Sequence, residues 1–123
     1  MARILVADDN LDQVTVQRAL LESLGYQVGT AMSPDETLRE LDRIRPDLVV
    51  VDLRFPHAAD GLKLIRGIRQ RDSKLPMIVL SGWPDDLYGA PEESLVSRIV
   101  LKGSVQVLMQ TIKELLAGCG ADS

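Results

Sequence analysis

Five side chains able to do chemistry stand where apolar runs end. Asp8 and Asp9 follow Ile4-Leu5-Val6-Ala7, Asp52 follows Leu48-Val49-Val50-Val51, Ser81 follows Met77-Ile78-Val79-Leu80, and Lys102 follows Ile99-Val100-Leu101. Three carboxylates brought close together cannot all stay ionised without a counter-charge. Hard oxygen donors of this kind suit Mg²⁺, which takes one or two carboxylates and keeps several waters. Lys102 adds a mobile point charge and Ser81 a hydroxyl donor, both matched to the oxygens of a phosphoryl group. A carboxylate in such a set can itself be the nucleophile and form an aspartyl phosphate. Asp52 suits that role because it ends a central strand, with Asp8 and Asp9 placed to hold a metal on one side and Ser81 and Lys102 to reach from the other.

Read singly, these residues are bland: an Asp-Asp pair is a turn, Lys102 a surface residue closing a strand, Ser81 a helix cap. The five together carry the reading. His57, with no second His or Cys beside it, reads as an exposed loop residue, and Cys119 as an ordinary thiol near the chain end. Trp83 either packs or covers the cleft.

The elements that must position this set follow from pattern. Four short β-branched runs without alternation are strands buried on both faces, as in a parallel sheet covered by helices, and residues 26–31 make a fifth, weaker strand. Between them lie helical repeats: Val16, Leu20 and Leu24; Leu38, Leu41 and Ile44; Leu62, Ile65 and Ile68; and Leu108, Ile112, Leu115 and Leu116. Ser33-Pro34-Asp35-Glu36 spells a capping box with proline at the first helical position, so the second helix starts there. Gly25 and Pro46 end the first and second helices. Two prolines and two glycines within residues 82–91 predict a short or irregular fourth helix. The last helix is expected over about 105–117, with fraying from Gly118. Alternating strands and helices imply an α/β, doubly wound, five-stranded parallel sheet of order 2-1-3-4-5. In that architecture all strand carboxyl ends lie on one edge, where ligands bind, so the five side chains converge.

Composition excludes several classes. The chain has 123 residues, 14 Lys+Arg against 18 Asp+Glu, 46% hydrophobic and 26% charged residues. That is one folded domain, expected over residues 1–118 with a short tail at 119–123. A net charge of −4 without a basic block gives no footprint for nucleic acid or an anionic membrane. No apolar run approaches the roughly 18 residues that span a bilayer, and the acids near the N-terminus interrupt any signal-peptide core. A cytoplasmic protein is expected.

Over essentially its whole length the chain resembles a response-regulator receiver domain of two-component signalling, a flavodoxin-like (βα)5 fold. The matching pieces are residues 4–10 with Asp8-Asp9-Asn10, the first-helix exit at 20–28, Pro46 through Asp52, then Pro56, Asp60-Gly61, Leu80-Ser81-Gly82 and Lys102. The resemblance implies that Asp52 accepts a phosphoryl group from a histidine kinase or histidine phosphotransfer protein. It implies also that Asp8, Asp9, Asp52 and the Arg54 backbone carbonyl hold Mg²⁺, and that Ser81 and Lys102 bind the phosphoryl oxygens. Such a protein is a phosphoacceptor that assists its own phosphorylation and dephosphorylation, not an enzyme acting on other substrates.

Departures are equally specific. Gly103 stands where the family usually has proline, Ile99 where it usually has an aromatic switch, and the loop before Asp60 is one residue longer than common. Arg54 and Trp83 are large residues two positions beyond the acceptor and beyond Ser81. The expectation is a stand-alone receiver whose phosphorylation switches binding of a downstream protein. A degenerate receiver serving as a phosphorylation-independent docking module is the alternative. An aspartyl-nucleophile phosphatase is disfavoured because Arg54 stands where a second acid is wanted, and a flavin site because the first βα turn carries Asp8-Asp9-Asn10. Val107, Met109 and other apolar residues of the last helix exceed one buried stripe, which predicts a self-association or partner face.

Overall fold

In the computed structural model, residues 2–53, 57–82, 87, 89–103 and 105–121 are described. The chain alternates β1 (Arg3–Ala7), α1 (Leu11–Ser23), β2 (Gln27–Ala31), α2 (Pro34–Ile44), β3 (Leu48–Asp52), α3 (Ala58–Arg71), β4 (Met77–Ser81), a 3-10 turn (Pro91–Leu95), β5 (Arg98–Leu101) and α4 (Val105–Ala121). All strand pairs are parallel and the order is β2-β1-β3-β4-β5, as expected. Of the fourth connection, the described residues include that 3-10 turn, whereas residues 83–86 and 88, on which the expectation of an irregular helix mostly falls, lie outside the described residues. The last helix, however, runs to Ala121 rather than stopping at 117.

Strand residues alternate between two cores. Leu5, Ala7, Val49, Val51, Met77 and Val79 face α2 and α3, burying Leu41, Leu64, Ile65 and Ile68. Ile4, Val6, Leu48, Val50, Ile78 and Leu80 face α1 and α4, burying Leu21, Leu108 and Ile112. Helices on both faces explain why these strands are apolar without alternation.

Local signals act where the sequence placed them. Ser33 caps α2, its Oγ accepting from Glu36 N at 3.1 Å, and the Glu36 carboxylate accepts from the Met32 N–H at 3.0 Å instead of closing on Ser33 itself. Gly25 leaves α1 at φ +96°, a left-handed conformation that glycine takes without steric cost. The first helix differs in its buried face. Val16 is 59% and Leu24 40% exposed, whereas Val14 and Leu21 are buried. Apolar residues lie all round α1, so the repeat of four does not single out the face that the sheet covers.

Candidate functional site

Parallel pairing fixes where each polar residue emerges. Val51 pairs with Ala7, Asp52 with Leu80 and Ser81 with Leu101, so Asp8, Asp52, Ser81 and Lys102 leave the sheet at its carboxyl edge. Main-chain bonds continue each ladder one step further: Asp8 N donates to Ala31 O at 3.1 Å, Leu53 N to Leu80 O at 2.9 Å, and Lys102 N to Ser81 O at 3.1 Å. These anchors bring the five sequence-selected residues to one crevice at the strand-order reversal between β1 and β3.

The carboxylates of Asp8, Asp9 and Asp52 present oxygens all within 4.8 Å of one another. Asp8 and Asp52 are 2% and 3% exposed, while Asp9 is open to solvent. Lys102 Nζ donates to Asp52 Oδ2 at 2.6 Å. Gly103, at φ +95°, turns the chain immediately after it. A glycine turn thus presents the ammonium group to Asp52 where the family usually has proline. Ser81 is 1% exposed at the end of β4, next to the strand that delivers Lys102.

Asn10 is a site residue that sequence reasoning used only as part of a motif. Its side chain caps α1, accepting from Gln13 N at 3.1 Å, and its own N–H donates to Asp8 Oδ1 at 3.0 Å. An Asn immediately before a helix was the available signal. His57 lies exposed at the start of α3, its N–H donating to Asp60 Oδ2 at 3.3 Å. Ile99 packs, half-buried, against the α2/α3 core. Arg54, Pro56 and Trp83, and with them the expected carbonyl ligand, the longer loop and the cleft cover, lie outside the described residues, as does the side chain of Cys119.

Charge is unbalanced in this crevice. Burial, reinforced by the facing charge of Asp52, pushes the Asp8 carboxyl up to about 6 despite the opposing Asn10 N–H and the Lys102 ammonium. Among the described residues, three buried side-chain oxygens lack a hydrogen-bond partner, and two of them, Asp8 Oδ2 and Asp52 Oδ1, are here. Buried acceptors without donors are costly. A hard divalent cation between these oxygens satisfies both, so the donor set fits Mg²⁺.

An acidic crevice with a lysine at the carboxyl edge of a 2-1-3-4-5 sheet defines the class, and similarity to known proteins agrees with it. The chain belongs to the response regulator receiver domain family, which matches residues 4–113. It is 31% identical over 121 residues to the transcriptional regulatory protein PrrA of Mycobacterium leprae, covering 97% of this chain and 52% of that protein. It is 39% identical over 88 residues to the virulence transcriptional regulatory protein PhoP of Salmonella typhimurium, covering 69% and 39%. The chain therefore spans about half the length, or less, of these curated relatives. Among solved structures, a response regulator receiver domain protein from Clostridium thermocellum is 26% identical, covers 100% of both chains and superposes with a TM-score of 0.89. The response regulator TrrA of Thermotoga maritima, in complex with Mg²⁺-BeF, is 26% identical with a TM-score of 0.84, covering 94% of this chain and 99% of that one.

Proposed function

We propose that Asp52 is the phosphoacceptor of a two-component phosphorelay. Its carboxylate oxygen attacks the phosphorus of a phosphohistidine on a kinase or phosphotransfer protein. The phosphorus–nitrogen bond breaks, the imidazole nitrogen leaves with the electron pair, and an acyl phosphate remains on Asp52. Asp8, Asp9, Asp52 and the Arg54 carbonyl would hold Mg²⁺, which supplies positive charge to the transferring oxygens. Lys102 binds one phosphoryl oxygen through its ammonium group and Ser81 another through its hydroxyl. The phosphorylated form then binds a downstream protein with altered affinity, in the cytoplasm, without touching nucleic acid or membrane through this domain.

The ion pair of Lys102 with a 3%-exposed Asp52, beside two orphaned carboxylate oxygens, carries this reading. It is tested by intact mass after incubation with Mg²⁺ and a small phosphodonor. One phosphoryl adduct is expected on the wild type, lost on chelation and in Asp52→Asn. No adduct from the phosphodonor or from a panel of kinases replaces the proposal with a docking module indifferent to phosphorylation.

A further inference from the structure

The main chain just beyond Asp52 is gripped from three directions. Leu53 N donates to Leu80 O of β4 at 2.9 Å, and the Leu53 side chain is wholly buried in the α2/α3 core. Its carbonyl faces the first turn of α3 so closely that a Cβ on Gly61 would lie 1.7 Å from Leu53 O, 2.6 Å from its C and 3.0 Å from its Cα. No side-chain rotation relieves that clash, because the three nearest atoms are all backbone. Gly61 N bonds to His57 O at 3.1 Å and Asp60 takes the His57 N–H, so the turn that carries Gly61 is itself held in place.

We infer that Gly61 is a positioning residue for the phosphoacceptor: the missing side chain lets α3 seat against the Leu53 peptide and thereby fixes where Asp52 points. The inference rests on the reading of Asp52 as metal ligand and acceptor. Glycine here serves close approach, not a special φ, as its place inside a helix indicates. A methyl at this position drives the Leu53 carbonyl back by about 1.5 Å, a displacement large against the tolerance of a site that must align a nucleophile and an octahedral cation. Gly67, on the same helix, supplies the contrast: its Cβ would meet only Leu38 side-chain atoms, at 3.4 and 3.5 Å.

The experiment measures Mg²⁺ affinity by titration calorimetry on the full chain, alongside circular dichroism and the phosphoryl adduct. Gly61→Ala is expected to retain helical signal and to weaken Mg²⁺ binding about 10- to 100-fold, in the range seen when residues supporting a metal site are changed. Gly67→Ala is expected to stay within about twofold of wild type. Should Gly61→Ala fail to fold, Asp60→Ala, which loosens the same turn without adding an atom near Leu53, is expected to weaken Mg²⁺ binding about 10-fold, the lower end of that range. Unchanged affinity in a folded Gly61→Ala, or in Asp60→Ala when it stands in, overturns the inference. A wild type that binds Mg²⁺ but takes no phosphoryl group would defeat the phosphoacceptor reading and leave the affinity comparison to decide the role of Gly61.

Discussion

Asp8 is a carboxylate held at a disadvantage. Burial raises it from an ordinary 3.8 to about 6, so the folded protein binds its proton more tightly than the unfolded chain does. The resulting stabilisation is full below pH 3.8 and is lost as pH rises through about 6, where Asp8 ionises against Asp52. Without divalent cation, Asp8→Asn is therefore expected to be more stable than wild type at pH 7, by about 1–3 kcal/mol. The difference should shrink towards pH 4, as read from denaturant midpoints across pH. A difference that grows on acidification would show that the Asp8 charge is stabilising. The same proton competes with the cation, so Mg²⁺ affinity should fall as pH drops below about 6.

At the scale of elements, α1 shows how a helix can be foreseen and its buried face mistaken. Val14 is 4% exposed beneath it, while Leu11 and Val16 are 63% and 59% exposed on the outside. Val14→Ala should cost about 1–2 kcal/mol through lost burial and the space left behind, whereas Val16→Ala should change stability by less than about 0.5 kcal/mol. Urea midpoints of the two variants decide between the faces, and a larger loss at Val16 would restore the stripe suggested by Val16, Leu20 and Leu24. Elsewhere short-range chemistry was sufficient. Ser33 and Pro34 start α2 because an oxygen for the free N–H groups and a preset φ are needed at that point. Arg45, at φ 48°, then ends it before Pro46, a left-handed position usually given to glycine.

For the whole molecule, the crevice is assembled from four strand ends, β1, β3, β4 and β5, that are far apart in sequence. A cation bound there tethers β1 to β3 in the folded state and has no equivalent site in the unfolded chain. Saturating Mg²⁺ at about 100 times its Kd should therefore add about 2.7 kcal/mol to global stability. The thermal midpoint should rise by several degrees, and Asp9→Ala should remove most of that rise. A midpoint indifferent to Mg²⁺ in wild type would mean that the carboxylate cluster does not bind the ion. Among the described residues no helix is long and apolar enough to cross a membrane.

Much of this was legible from residue order alone. Uninterrupted runs such as Leu48–Asp52 announce strands covered on both sides, and strand–helix alternation permits few topologies once crossovers are right-handed. Because parallel strands end on a common edge, residue type at each run's end is enough to single out Asp8, Asp9, Asp52, Ser81 and Lys102. Tertiary structure decided what local pattern cannot encode. Which side of α1 is buried depends on where the sheet lies, since apolar residues surround that helix. Whether Lys102 reaches Asp52 past Gly103 depends on a turn whose geometry glycine leaves open. That Gly61 must lack a side chain follows from the Leu53 carbonyl, eight positions away in sequence and brought against α3 only when the core closes. Periodicity and residue type report on neighbours along the chain and on burial in general, whereas a close approach between two backbones leaves no trace in sequence beyond a single glycine.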